Sequence, residues 1–179
     1  MSLVNNFRML SRYNQRINKQ LMQTCIALPE ALLTKESHSF FPTILSYWNH
    51  LLFGDLILLG RLASYTTDLL QPEDLAQFPK PKTPRDIYYQ QLPELMAARF
   101  TLDEVLIRFC ENLTDEDCRQ KICYTSTEGE VITKVVGDVI QHLFNHQTHH
   151  RGQLTCVLSQ FSVDYGCMDL PVIVSEGSQ

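Results

Sequence analysis

Four of the six histidines in this 179-residue chain lie within nine residues, in the segment HLFNHQTHH that runs from His142 to His150. Neutral imidazole nitrogens are common ligands of divalent metal ions. In an α-helix, residues four positions apart project from the same face. The pairs His142–His146 and His146–His150 both have this spacing, so the segment has the pattern of a metal site on a helix.

Helical phase separates the four histidines. With His142 at zero on a helical wheel, His146 lies at about 40°, His150 at about 80° and His149 at about −20°. The apolar residues of the same segment average near 100°. His146 and His150 are therefore the best inward pair, and His142 with His146 is the second choice. His142 falls at the boundary of the buried sector, and His149 is expected at the surface.

Two inward histidines allow two interpretations. Each ring either satisfies its nitrogens with hydrogen-bond partners in the core or binds a metal ion together with a ligand from another helix. The candidate third ligand is His50, in the apolar segment SYWNHLLFGD. Asp55 is a rival ligand, or else a surface or supporting group. Three imidazoles suit Zn²⁺ or Ni²⁺ and leave coordination positions open for water or substrate.

Several polar residues neighbour these candidates. Asn49, Asn145 and Gln153 are each placed to orient a ligand imidazole through a hydrogen bond. Arg151 lies about 100° from His150 on the wheel and so leaves the ligand face. We expect Arg151 to make a salt bridge or an interhelix contact.

The elements that must position these residues can be read from hydrophobic periodicity. Long helices are predicted over 3–28, 42–64, 92–113 and 135–161, a β-hairpin over 120–134, and an extended tail over 168–179. The proline-rich connection 65–89 either crosses over the helices or lines a site. The pattern predicts one all-α domain over 1–179, a four-helix bundle with a long crossover between its second and third helices and a small hairpin before the fourth.

Composition excludes other classes of protein. The net charge is −5, from 20 acidic and 15 basic residues, and no lysine or arginine cluster suggests nucleic-acid binding. The most apolar segment carries His50, Asp55 and Arg61, so we expect no membrane span. The N-terminus does not resemble a signal peptide, and the six cysteines contain no C-x-x-C pair. We therefore expect a cytoplasmic protein with free thiols.

The segment NHQTHHRGQL closely resembles the His-x-x-x-His-Arg-Gly-Gln signature of the DinB family (DinB/YfiT-like, damage-inducible proteins), and SYWNHLLFGD resembles that family's second helix. The resemblance extends over nearly the whole chain. It implies a four-helix bundle that holds one divalent metal ion, often nickel or zinc, through His50, His146 and His150. It also implies a homodimer.

The resemblance leaves the activity open. Some similar proteins are metal-dependent transferases or isomerases that use small thiols such as bacillithiol or mycothiol. We expect a metal-dependent transferase acting with a small thiol, or a hydrolase. The alternatives are a metal-binding or dimeric stress-related protein without catalysis, in which the site joins two helices, and a metal-free bundle used for dimerisation.

Overall fold

The computed structural model describes residues 2–66, 68–126 and 128–173, and these residues are mostly helical. The helices are α1 (Leu3–Ile26), α2 (Glu30–Leu33), α3 (Ile44–Ala63), α4 (Leu92–Asn112), α5 (Asp115–Arg119), α6 (Val136–Gln160) and α7 (Leu170–Ile173). The strands are β1 (Lys121–Thr125) and β2 (Val131–Val135). All four long helices that periodicity predicted are present.

The four long helices pack through contacts of α1 with α4, α3 with α6, α1 with α6, and α3 with α4. Each of them therefore has two long neighbours, and their apolar faces meet in one core. The following core side chains are fully buried: Phe7, Ile17, Leu21, Trp48, Leu51, Leu59, Leu102, Phe109, Leu143 and Leu154. Helix α3 is buried on nearly all sides, as the spread of its apolar residues predicted.

Local signals set where α3 begins. The Thr43 side chain accepts a hydrogen bond from the Ser46 backbone, and the Ser46 side chain accepts one from the Thr43 backbone. This reciprocal capping box satisfies two backbone donors that the first helical turn leaves without partners. The capped start fixes the phase of α3, so His50 and Gly54, which are four residues apart, lie on one face.

A buried ion-pair cluster joins three of the long helices. The Arg99 guanidinium on α4 lies 2.7 Å from Asp55 on α3 and 2.9 Å from Asp103 on its own helix. Gln147 on α6 donates a hydrogen bond of 2.7 Å to Asp55. All four side chains are fully buried. Charges taken out of water need such partners, so these contacts restrict which helix faces can meet.

The same cluster extends to α1 through two asparagines. Arg151 on α6 donates to the side-chain oxygens of Asn14 and Asn18, at 2.7 Å and 3.2 Å. Asn18 in turn donates to Asp103 at 3.0 Å. We call these residues the buried polar network: Asn14, Asn18, Asp55, Arg99, Asp103, Gln147 and Arg151. The interhelix contact predicted for Arg151 is confirmed.

The hairpin prediction is confirmed, since β1 and β2 pair antiparallel in a register from Lys121 opposite Val135 to Thr125 opposite Val131. Two other short elements differ from the prediction. Helix α5 precedes the hairpin, capped by Thr114, and α7 occupies part of the tail that was predicted to be extended. Pro171 is compatible with the first turn of α7. Residues 174–179 of that tail lie outside the described residues.

The connection between α3 and α4 has one short 3₁₀ helix, Pro72–Leu75, and otherwise lacks regular structure over its described residues. Its prolines explain this, because a proline has no backbone N–H to donate within a helix. In the described part of the chain, none of the helices combines the length and the apolarity needed to cross a membrane.

Candidate metal centre

His50 from α3 and His146 and His150 from α6 converge at one point. The Nε2 atom of His50 lies 3.0 Å from Nε2 of His150 and 3.2 Å from Nε2 of His146. One nitrogen from each ring lies within 4.8 Å of the others, so the three rings are close enough to share one metal ion. The structure thus brings together the three residues that the sequence analysis selected. That they bind a metal stays a prediction.

Hydrogen bonds on the far sides of two rings fix their protonation. The Nδ1 atom of His50 lies 3.0 Å from the carbonyl oxygen of Pro84, which can only accept. The Nδ1 atom of His150 lies 2.8 Å from Oε1 of Gln153, which also accepts. Both rings therefore carry their proton on Nδ1 and present the lone pair of Nε2 to the cluster. This is the form in which imidazoles can bind a metal ion.

The third ring, His146, is positioned by close packing against α3. Its Nδ1 atom is buried and has no hydrogen-bond partner among the described residues. The ring lies against Gly54 so closely that a Cβ atom at that position would overlap its Cε1 atom. Glycine at position 54 is therefore what allows the His146 ring to lie against α3 beside His50.

Burial keeps the cluster neutral. It lowers the pKa of His50 to about 4, although the hydrogen bond to Pro84 opposes the change. It lowers the pKa of His146 to about 3, with a further lowering from the neighbouring imidazoles. The pKa of His150 is also lowered, chiefly by burial. At neutral pH all three rings are in the neutral form that metal ions require.

Asn49 supports the site indirectly. Its side-chain oxygen accepts hydrogen bonds from the backbone N–H groups of Tyr88 and Tyr89, at 2.8 Å and 2.9 Å. These bonds fix the end of the connection that contains Pro84, whose carbonyl orients His50. Asn49 was predicted to orient an imidazole itself; it orients the segment that does so.

The other predicted neighbours divide into one that contacts the cluster and two that do not. Gln153 orients His150, as expected. Asn145 is exposed and accepts a hydrogen bond from Gln141. Asp55 is in contact with Arg99 and Gln147 in the buried polar network, so its role is to neutralise a buried guanidinium. Its carboxylate is not part of the histidine cluster.

The remaining histidines are exposed. His149 lies at the surface, as its phase predicted, and His38 lies in the connection before α3. His142, predicted at the boundary, is also exposed, and its ring centroid lies 6.1 Å from that of His146. Helical phase therefore separated the outward histidines from the inward pair.

A cavity of about 390 Å³ opens above the cluster. Phe41 forms one wall and stacks on the His50 ring with 4.1 Å between centroids. Arg85 and Phe40 form another, with the guanidinium 5.1 Å from the Phe40 ring centre. Sequence reasoning missed these residues because they lie outside the long helices. Gly54 was detectable, since it follows His50 by one helical turn.

Comparison with known proteins finds similar sequences over nearly the whole chain. The sequence model of the DinB family matches residues 1–174. Protein DinB of Bacillus subtilis (strain 168) is 26% identical over 163 residues, which cover 88% of this chain and 90% of that protein. The match includes both helices that carry the cluster.

Proposed function

The chain belongs to the DinB family, and we propose that it binds one divalent metal ion, nickel or zinc, through His50, His146 and His150. We further propose that its four long helices form the four-helix bundle that the sequence pattern predicted. The observation that carries the metal proposal is the pair of inward lone pairs on His50 and His150, 3.0 Å apart, with both outer nitrogens bonded to acceptors. A metal ion bound there would accept the lone pairs of all three imidazoles.

The cavity above the cluster supports a thiol as co-substrate. A divalent ion held by three imidazoles keeps open positions and lowers the pKa of a thiol bound to it. Activation of water for hydrolysis usually also uses a general base. Among the described residues that line this cavity none is acidic, and the only imidazole besides the three candidate ligands is that of His149. A thiol ionises on a metal without a general base, so we propose transfer of a small thiol in preference to hydrolysis, which would need His149 as its base.

Three residues around the cavity have defined roles in this proposal. Phe41 covers one face of His50 and limits access of water to the ligands. Gln153 holds the His150 proton on Nδ1 and so keeps its Nε2 free to bind. Arg85 supplies the positive charge at the cavity wall, which favours a thiol or an acceptor that carries a carboxylate.

Metal analysis tests the first part of the proposal. Protein purified without an affinity tag should contain about one metal ion per chain, and His150→Ala should contain almost none. His149→Ala is the matched control, since it removes an exposed neighbour on the same helix. Full metal content in His150→Ala, or far less than one ion in the unaltered protein, would refute the assignment.

Activity measurements separate the enzyme from a metal-binding protein without catalysis. The metal-loaded protein is incubated with small thiols and a panel of electrophiles, and conjugates are detected by mass spectrometry. The enzyme proposal requires conjugation that disappears in His150→Ala. If no conjugate forms while removal of the metal lowers the melting temperature, the ion serves to join α3 to α6. That outcome would leave the metal proposal standing and remove the transferase.

Assembly and location are proposed on the family resemblance. We propose a homodimer, which light scattering on the purified protein tests directly. We propose the cytoplasm as its location, which is compatible with the six free cysteines.

A further inference from the structure

A second cavity, of about 810 Å³, lies on another part of the molecule. Its walls are the C-terminal half of α3, the segment from Pro72 to Pro81 of the connection, and β1 with the turn that follows it. No described residue lines both this cavity and the one above the histidines. Its volume lies in the range of pockets that enclose small organic ligands.

The walls of the second cavity are largely apolar. Leu56 and Phe78 contribute buried side chains, and Leu75 packs against the core. Pro79 and Pro81 add apolar surface without backbone donors. Such a surface suits the apolar body of a ligand and offers few groups that bind water strongly.

The charges that line the second cavity are all positive. Arg61 and Lys80 line it, and among its described lining residues none is acidic, although the chain has 20 acidic residues. The Arg61 guanidinium lies 4.4 Å from the centre of the Tyr124 ring. Neither cation forms an ion pair within the described residues; Arg61 also borders a smaller cleft with Asp138 but does not pair with it. Both charges remain available to an anion.

A glycine keeps space open in the wall. Gly60 lies inside α3, where glycine costs about 1 kcal/mol relative to alanine. A Cβ atom at Gly60 would meet nothing within 4 Å. Gly54 on the same helix makes room for the His146 ring, but no protein group uses the space at Gly60. Gly60 lines the second cavity, so the space beside it opens into that cavity.

We propose that the second cavity binds an organic carboxylate with an apolar body, independently of the metal centre. Arg61 and Lys80 bind the carboxylate, and the apolar body packs between α3 and the proline-rich segment. The proposal requires selectivity for charge and dependence on the space beside Gly60. The two requirements can be tested separately.

Calorimetric titration of the full-length protein with octanoate and with 1-octanol tests the charge requirement, because the two share a similar chain. Octanoate should bind with a Kd below about 1 mM and about tenfold more tightly than 1-octanol, the difference expected of a charge-assisted hydrogen bond. Arg61→Gln should reduce that preference to about threefold or less. Absence of saturable octanoate binding, or equal binding of the alcohol, would overturn the proposal.

A second pair of variants tests the location. Gly60→Leu places a side chain in the space beside α3 that the apolar body of octanoate would occupy, and it should weaken octanoate binding at least tenfold. Gly152→Leu is the matched control, since Gly152 lies in α6, is exposed, and a Cβ atom there would also meet nothing within 4 Å. Unchanged octanoate binding in a folded Gly60→Leu protein would contradict the proposal. If Gly60→Leu does not fold, Arg61→Gln decides alone, and a preference that stays tenfold in that variant refutes the site.

Discussion

Gly54→Ala is the smallest change that should disable the metal centre. The new Cβ atom would overlap the His146 ring, and ordinary contact begins at 3.4 Å or more. The ring would have to move by about 1 Å, whereas metal–nitrogen distances tolerate only about 0.2 Å. Changes in residues that merely orient a ligand already cost about 10- to 100-fold in metal affinity. We therefore expect Gly54→Ala to weaken metal binding by about 100-fold.

The same substitution has an opposing effect on the helix. Alanine is favoured over glycine in a helix interior by about 1 kcal/mol, so the metal-free variant loses less stability than the overlap alone would cause. Gly60→Ala, six residues further along α3, gives the same gain in propensity without a contact. Metal affinity is measured for both variants by competition with a chelator of known affinity, and thermal melts of the metal-free proteins report stability. Equal metal affinities in the two variants would refute the reasoning.

Other changes should have the following effects. Burial lowers the pKa of His146 to about 3, below the ordinary value, so the contribution of this ring to the stability of the metal-free protein is complete above about pH 6.5 and declines as the pH falls. Between pH 7 and 5 this ring alone should account for about 1–2 kcal/mol of lost unfolding free energy, measured by urea unfolding as the difference between the unaltered protein and His146→Gln. The lowered pKa values of His50 and His146 also predict that metal is retained at about pH 5, where both rings are still neutral, and is lost as the pH falls through about 4 to 3, measured by metal content after dialysis. Arg99→Met leaves two buried carboxylates without their cation and should lower the unfolding free energy by about 3–5 kcal/mol. The control is Arg12→Met, which should lower it by less than about 1 kcal/mol because the ion pair of Arg12 with Glu111 is exposed. A small effect of Arg99→Met would contradict the importance of the buried polar network.

Helical periodicity was sufficient to predict the four long helices and the inward pair of histidines. The phase of α6 separated His146 and His150 from His149, because burial on a helix depends on angle and the angle follows from residue number. The four long helices have strong apolar patterns, so their existence was predictable, but α5 and α7 span only a turn or so and leave almost no pattern. The helical phase of α6 also predicted that Arg151 does not lie on the face that carries His146 and His150.

Contacts that depend on chain path were not predictable. The carbonyl of Pro84 reaches His50 only because Asn49 fixes the end of a proline-rich connection, and no periodicity encodes that route. Likewise, Asp55 had several interpretations from sequence. Its partner Arg99 lies 44 positions away on a different helix, and the pairing follows from how α3 and α4 pack.

Neighbouring residues on α6 face two different environments. His146 and His150 point to the histidine cluster, while Gln147 and Arg151, one residue later in each case, belong to the buried polar network. At about 5 Å from the helix axis, a rotation of α6 by about 10° moves a side-chain tip by about 1 Å. The hydrogen bonds of the buried polar network therefore restrict rotation of α6 about its own axis. In the proposed metal centre, selectivity between metals would then depend partly on residues that do not contact the ion. A redesign that replaced the network with an apolar core would be expected to reduce that selectivity while leaving every proposed ligand in place.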